Sequence, residues 1–459
     1  MKNITDKFVD LIYDYKTFPI PNRILFSAKM CVLDYLACVY AGNTIQINET
    51  ETLIRKLGSK GDAIIIGTGI KSDEMTASLV NALNAHKAEL DDGHRLAMLH
   101  PGAPIISALL AACSVKDIDG YSFIRGIVVG YEATIRLGQA IQPSHKLQGW
   151  HATGTCGVIG AACAIAIATN FNRLQLSSTI AAAATCASGL LEMIDDTSQL
   201  KPYNVAHAAM NGYVSAVMGE SGFTGPKDSI GGKRGFLSVT TGQYDSSLLY
   251  QKDDSYKIEQ IYTKPYAACR HSHPAIEAAL ILANENDIDY MKVTSINIRT
   301  YELAIIGHEN LTVKSVSEAK MSTPYSVAVA LIKRSAGITE YTEKTICDAD
   351  ISSLAAKISI VESRELTNIS PDRRAAIVDI QMSSGRVFSK RVDYPLGEPE
   401  NPMTPTMIEE KFRQLASHFG MDHVNIAHII DATKNMDTDF VKWKDAICSI
   451  KKDKGIFND

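Results

Sequence analysis

The chain has 459 residues, with 46 lysines and arginines against 51 aspartates and glutamates, giving a formal charge of −5. That length allows two or three domains around a large core, and the mild acidity excludes a nucleic-acid binder, which would present a basic face. Nine cysteines lie scattered, mostly within Ala/Val/Ile runs and with no CxxC pair. This excludes a disulfide framework or a zinc ribbon and points to reduced, buried thiols. The N-terminus, MKNITDKFVDLIYDY, mixes charge with apolar residues at helical spacing and lacks the apolar core of a signal peptide. The most apolar run, Ala152 to Ala168, is built as much of Ala, Gly, Cys and Thr as of Ile. It therefore suits a packed internal helix better than a lipid-facing span. The expectation is a soluble cytoplasmic protein without a membrane partner.

Residues 1–258 read as helix after helix. ILFSAKMCVLDYLACVYAG has apolar residues at three- and four-residue spacing and stops at Gly42. TASLVNALNAHKAEL behaves alike and leads into HKAELDDGHRLAMLHPGAP, His86 to Pro104, where acids and imidazoles gather before a Pro-Gly-Ala-Pro break. SALLAACSV, YSFIRGIVVGYEATIRLGQAI, GTCGVIGAACAIAIA and STIAAAATCASGLLEMI follow, the last two rich in small residues that let helices approach closely. No segment here alternates with period two, so this part is expected to be all-helical. Between 259 and 398 the texture changes. KVTSINIRTYELAII and AAIVDIQMSSGRVFSKRVDYP are β-branched and partly alternating, the second around a Ser-Ser-Gly turn, with helical patterns between them. After GEPENPMT the chain turns helical again, from 399 to 459. The reading is mainly α with an α+β part: an all-helical domain built from both chain ends (1–258 and 399–459) with an inserted α+β domain (259–398).

The His86–Pro104 stretch holds Glu89, Asp91, Asp92 and His100 against a buried helix start. An acid/base site requires such groups, because burial and neighbours set their pKa values. The plainer alternative is a solvated loop whose acids cap the next helix. His151 precedes a Gly/Thr-rich helix start, whose free N–H groups favour an anion. Lys201 stands before Pro202, where another helix should begin, although a lysine there is usually just solvated. Lys264, Arg270, His271 and His273 crowd the start of AIEAAL; so many cations oppose the helix dipole unless an anion sits among them. His308 ends a strand-like run and reads as exposed. No HExxH or zinc-spaced pair accompanies these histidines, so no metal is expected. GxSxG, Walker A and GxGxxG motifs are missing as well.

Taken together, ELDDGHRLAMLHPGAP, GYEATIRLG, GWHATGTCGVIGAA, KPYNVAHAAMNG, GFTGP with GGKRGF, KPYAACRHSHPAIEAAL, STPYSVAVAL, and GEPENPMT with EEKF resemble the MmgE/PrpD family, in family order from about residue 20 to 420. The resemblance implies a large helical domain plus a smaller α+β lid domain, and a homodimer. It also implies action on small polycarboxylates without metal or organic cofactor. Carried over by position, His100 and His151 supply acid/base groups, with Glu89 in the acidic position before Asp91 and Asp92. Lys201 and Lys264 match lysines that hold carboxylates, with Arg270, His271 and His273 beside them. His308 falls where decarboxylase-type members carry a tyrosine, and Cys269 where they carry a histidine. The expected activity is a lyase, a dehydratase or decarboxylase that removes or returns a proton α to a carboxylate. Placed bases and cations would stabilise the enediolate-like charge. An epimerase of a substituted succinate such as iminodisuccinate needs the same proton abstraction, and a non-catalytic carboxylate binder is the third reading.

Overall fold

In the computed structural model, which describes residues 2–194, 198–253 and 255–451, the seventeen residues Ala152–Ala168 form a helix with every side chain buried. Its Ala, Gly, Thr and Cys content makes this possible. A thin helix accepts neighbours on all sides, here the helices Gly102–Ala112, Gly120–Ile141, Arg173–Thr185 and Lys201–Glu220. At the crossing with Gly120–Ile141 there is no room for even a methyl group. A Cβ on Gly160 would stand 1.7 Å from Thr134 Oγ1 and 2.8 Å from the Gly130 carbonyl oxygen.

These helices belong to one of two compact units, made of Met1–Met193, Leu200–Ile261 and Thr404–Asp459; the other takes Ile194–Gln199 and Tyr262–Met403. In the first unit the Asn22–Gly42 helix is long and apolar enough to cross a membrane, yet 72% of its most apolar window is buried. It packs against the helices Glu74–Lys87 and Pro405–Phe419. The latter begins at the N-cap Thr404 and ends at Gly420 in the left-handed region (φ 102°), as its Pro and Gly punctuation requires. The expectation of an all-helical unit needs correcting. Strands β1 (Ala63–Ile65) and β2 (Ile70–Ser72) pair antiparallel through a turn whose Gly67 and Gly69 have φ of 78° and 73°. Three-residue strands are too short to show period-two alternation.

The second unit carries a four-stranded sheet, β3 (Val293–Thr300), β4 (Ile358–Glu362), β5 (Ala376–Met382) and β6 (Val387–Val392), in the order β4-β3-β5-β6. β3 runs parallel to β4 and antiparallel to β5, with an irregularity between Val293 and Ser295. Ser383-Ser384-Gly385 turns β5 into β6, with Gly385 at φ 84°. Beyond the irregularity β3 buries Ile296, Ile298 and Thr300, and β5 buries Ala376, Val378, Ile380 and Met382. The His273–Asn286 helix lies against β5 and β6 and against the Thr323–Lys333 helix. β6 is an edge strand bearing Lys390 and Arg391, charges that discourage pairing with another chain. The fold is thus mainly α with an α+β part.

Gly160→Ala should destabilise the protein by about 1–3 kcal/mol, because overpacking outweighs the roughly 1 kcal/mol that Ala gains over Gly inside a helix. A lowered midpoint in denaturant unfolding at unchanged slope is the expected result; a raised one would refute the close crossing.

Candidate active site

The Glu74–Lys87 helix ends one residue short of a turn, and the chain from Ala88 to Pro101 carries its acids inward before the Gly102–Ala112 helix begins. Glu89, Asp91 and Asp92 are all buried, and Glu89 adopts a left-handed conformation (φ 56°) that a non-glycine residue takes only under constraint. Each acid has a partner from a different element. Glu89 forms an ion pair with Lys201 at the start of the Lys201–Glu220 helix. Asp91 Oδ2 accepts from His86 Nδ1 at 2.7 Å. Asp92 accepts from Tyr131 Oη at 2.6 Å and from the Gly102 amide at 3.0 Å. A side chain at Gly102 would collide with this arrangement, its Cβ falling 2.6 Å from Tyr131 Oη and 2.9 Å from Asp92 Oδ1.

The imidazoles meet the same turn. His100 Nδ1 lies 2.6 Å from the Asp92 carbonyl oxygen, so Nδ1 carries the proton and Nε2 the lone pair of the neutral ring. Its backbone amide donates to Thr153 Oγ1. His86 is anchored in the same way by Asp91. Its buried Nε2, 3.7 Å from Glu89 Oε1, makes no hydrogen bond among the described residues. The His86 and His100 rings are 4.9 Å apart, and His86 and His151 6.4 Å. His151 caps the Ala152–Ala168 helix, and its buried Nδ1 also has no hydrogen-bond partner among the described residues. Burial holds its pKa well below the ordinary value, with His86, Lys201 and His100 nearby adding to the effect. At neutral pH it is therefore an uncharged acceptor or donor. Burial pushes the Asp92 carboxyl up to about 7, helped by Asp91 and Asp34 and opposed by its hydrogen bonds from Tyr131 and Gly102.

Glu89, Asp91, Asp92, His100, His151 and Lys201 thus come together in the first unit, along with His86 and Tyr131. His86 has no assigned role in the sequence beyond opening the His86–Pro104 stretch. Tyr131 lay within the GYEATIRLG motif with no role assigned to it. His94 is structural, its Nδ1 accepting from the Ala97 amide at 3.0 Å. His86, Asp91 and His100 offer ligand atoms within 4.8 Å of one another, close enough to surround a divalent cation. Both Nδ1 atoms are already engaged, however, by Asp91 and by the Asp92 carbonyl.

In the second unit the predicted cations divide. Arg270 donates to Glu398 Oε1 through Nε and Nη2 (3.0 and 2.9 Å), to His273 Nδ1 (2.9 Å), and to the carbonyls of Leu396 and Pro395. The anion that the cationic helix start called for is therefore the protein's own Glu398. His273, engaged by Arg270 and, through Nε2, by the Ala268 carbonyl, is equally structural. Lys264 is buried. His271 Nδ1 pairs with Tyr301 Oη at 2.6 Å, and its ring lies 5.4 Å from that of His308. His308, expected to be exposed, is buried. Its Nδ1 donates to the Met321 carbonyl at 2.8 Å and its Nε2 faces Cys269 Sγ at 3.7 Å. The two positions that depart from the decarboxylase pattern are thus in contact with each other.

The MmgE/PrpD N-terminal domain profile matches residues 6–249 and the C-terminal domain profile residues 266–436. The chain belongs to the MmgE/PrpD family. Among its MmgE/PrpD relatives, the cis-aconitate decarboxylase of Aspergillus terreus is 25% identical over 95% of this chain and 93% of its own length. The cis-aconitate decarboxylase of Homo sapiens is 22% identical over 95% and 92%. A probable 2-methylcitrate dehydratase of Saccharomyces cerevisiae is 28% identical over only 37% of this chain and 35% of its own.

The Asp92 pKa makes a testable prediction. The unfolded chain releases this proton near 3.8 and the folded chain near 7, so the folded state binds more protons between those values. The stability this group contributes is full below about 3.8 and is lost as pH rises to about 7. Asp92→Asn should therefore narrow the difference in thermal midpoint between pH 5 and pH 7.5. An unchanged difference would show that Asp92 does not titrate there.

Proposed function

We propose that the protein is a cofactor-independent lyase acting on a small tricarboxylate, with cis-aconitate decarboxylation as the leading activity. The observation that carries this is the coverage of the relatives. The Aspergillus terreus and Homo sapiens relatives, matched over more than nine-tenths of both chains, are named cis-aconitate decarboxylases, whereas the methylcitrate dehydratase aligns over about a third. In this reaction the bond to the departing carboxylate breaks, CO2 leaves, and the electron pair spreads onto the remaining unsaturated acid until a proton reaches carbon. His100 and His151 are the groups for that proton transfer, with His86 behind His100. Lys201, already paired with Glu89, is the cation for a substrate carboxylate beside these imidazoles. Dehydration of an alkylcitrate is the second reading. It uses the same acid/base pair and is favoured by an alkylcitrate dehydratase of Talaromyces stipitatus, 24% identical over 51% of this chain. No disulfide joins the nine cysteines among the described residues, which fits a reducing compartment such as the cytoplasm, and the family resemblance supports a homodimer.

The test is CO2 release and loss of cis-aconitate with the purified protein, set beside alkylcitrates and iminodisuccinate in deuterated water. A decarboxylase yields a shortened unsaturated dicarboxylate with deuterium at the protonated carbon. Deuterium in recovered, epimerised substrate would instead identify an isomerase. His100→Ala should lower kcat by about 10²–10⁴, the range of general acid–base catalysis, with an unchanged unfolding midpoint. Near wild-type turnover in this variant would remove His100 from the reaction.

A further inference from the structure

One buried cation of the first unit has no part in the proton transfers described above. Lys411, in the second turn of the Pro405–Phe419 helix, is buried together with Asp34 on the Asn22–Gly42 helix. Its Nζ donates to Asp34 Oδ1 at 2.5 Å and to the Leu90 carbonyl oxygen at 2.6 Å. Burial alone would depress the ammonium, but Asp34 more than offsets this and raises its pKa, so Lys411 stays charged. Leu90 lies between Glu89, held in its left-handed conformation and paired with Lys201, and Asp91, which anchors His86. Its carbonyl is thus the fixed point between the two acids.

We propose that Lys411 is a positioning residue: by holding the Leu90 carbonyl against Asp34 it sets the turn that aims Glu89 at Lys201 and Asp91 at His86. The geometry separates this role from simple stabilisation. Asp34 requires a cation because an unpaired buried charge is costly, whereas Leu90 requires a donor at one particular place. A neutral pair at 34 and 411 would satisfy the first need and leave the second unmet.

The experiment compares Lys411→Met, Lys411→Arg and the double variant Asp34→Asn/Lys411→Met with the wild type. Lys411→Met alone should unfold at clearly lower denaturant, and the double variant should recover most of that loss. In the recovered double variant, kcat on cis-aconitate should stay at least tenfold below wild type. Its pH–rate profile should be displaced, and the amides of residues 89–92 should exchange with deuterium faster than in the wild type. Lys411→Arg, which keeps a donor, should restore part of both. A double variant with wild-type kcat and wild-type exchange at the turn would overturn the proposal and leave Lys411 as a counter-ion only. The activity arm rests on the lyase reading; the exchange arm needs no substrate. A wild-type protein inactive on cis-aconitate therefore refutes cis-aconitate decarboxylation as its activity, and exchange at the turn then decides the case for Lys411.

Discussion

Burying an ionisable group without a partner costs several kcal/mol, and the chain between Lys87 and Gly102 buries three carboxylates within four residues. The first unit is arranged to meet that constraint. No single element supplies all the partners. His86 comes from the helix just ended, the Gly102 amide from the helix about to begin, Tyr131 from the Gly120–Ile141 helix and Lys201 from another. The turn is where these elements converge, and the same interactions that make it tolerable to bury also fix the tautomer of its imidazoles. Anchoring Nδ1 of His86 and of His100 on acceptors leaves both rings with Nε2 as the basic nitrogen. Stability and reactivity share one set of hydrogen bonds here.

Convergence of so many helices on one turn needs close packing, which the small residues of the core permit. Gly160 lets the Gly120–Ile141 helix come near enough for Tyr131 to sit beside Asp92, and Gly102 leaves the space its own amide requires. An alanine-rich helix such as Ala152–Ala168 has little amphipathic character, and it needs none because every face is covered. The small residues therefore act on the site at a distance, through helix spacing.

The parts of this protein legible in its sequence were those governed by local rules. Gly42, the Pro-Gly break at 101–102, Pro202 and the Ser-Ser-Gly turn at 383–385 each fell at the end or start of an element, because chain punctuation acts over a few residues. The edge strand β4 went unread, since five residues of one sheet edge carry little pattern. Glu89, Asp91, Asp92, His100, His151 and Lys201 were legible as candidates, and the structure brings them together. Other contacts follow no local pattern. An anion beside Arg270 is Glu398, 128 residues away. His308 looked exposed because nothing near it in sequence shows the cover that buries it. The His86–Asp91 pair spans a helix end, at a spacing no helical or strand periodicity marks.

The separation of 321 residues between Leu90 and the lysine that holds its carbonyl has a consequence for biosynthesis. A ribosome delivers the chain from its N-terminus, so the acid turn and its surrounding helices emerge long before the Pro405–Phe419 helix exists. Throughout that interval Asp34 lacks its counter-ion and the turn lacks its clamp, while the whole of the Tyr262–Met403 segment is made in between. The first unit is thus the last to be completed, although most of it is the first to be synthesised. A chain cut short before residue 411 would contain every acid and imidazole of the site and still lack the means to set them in place.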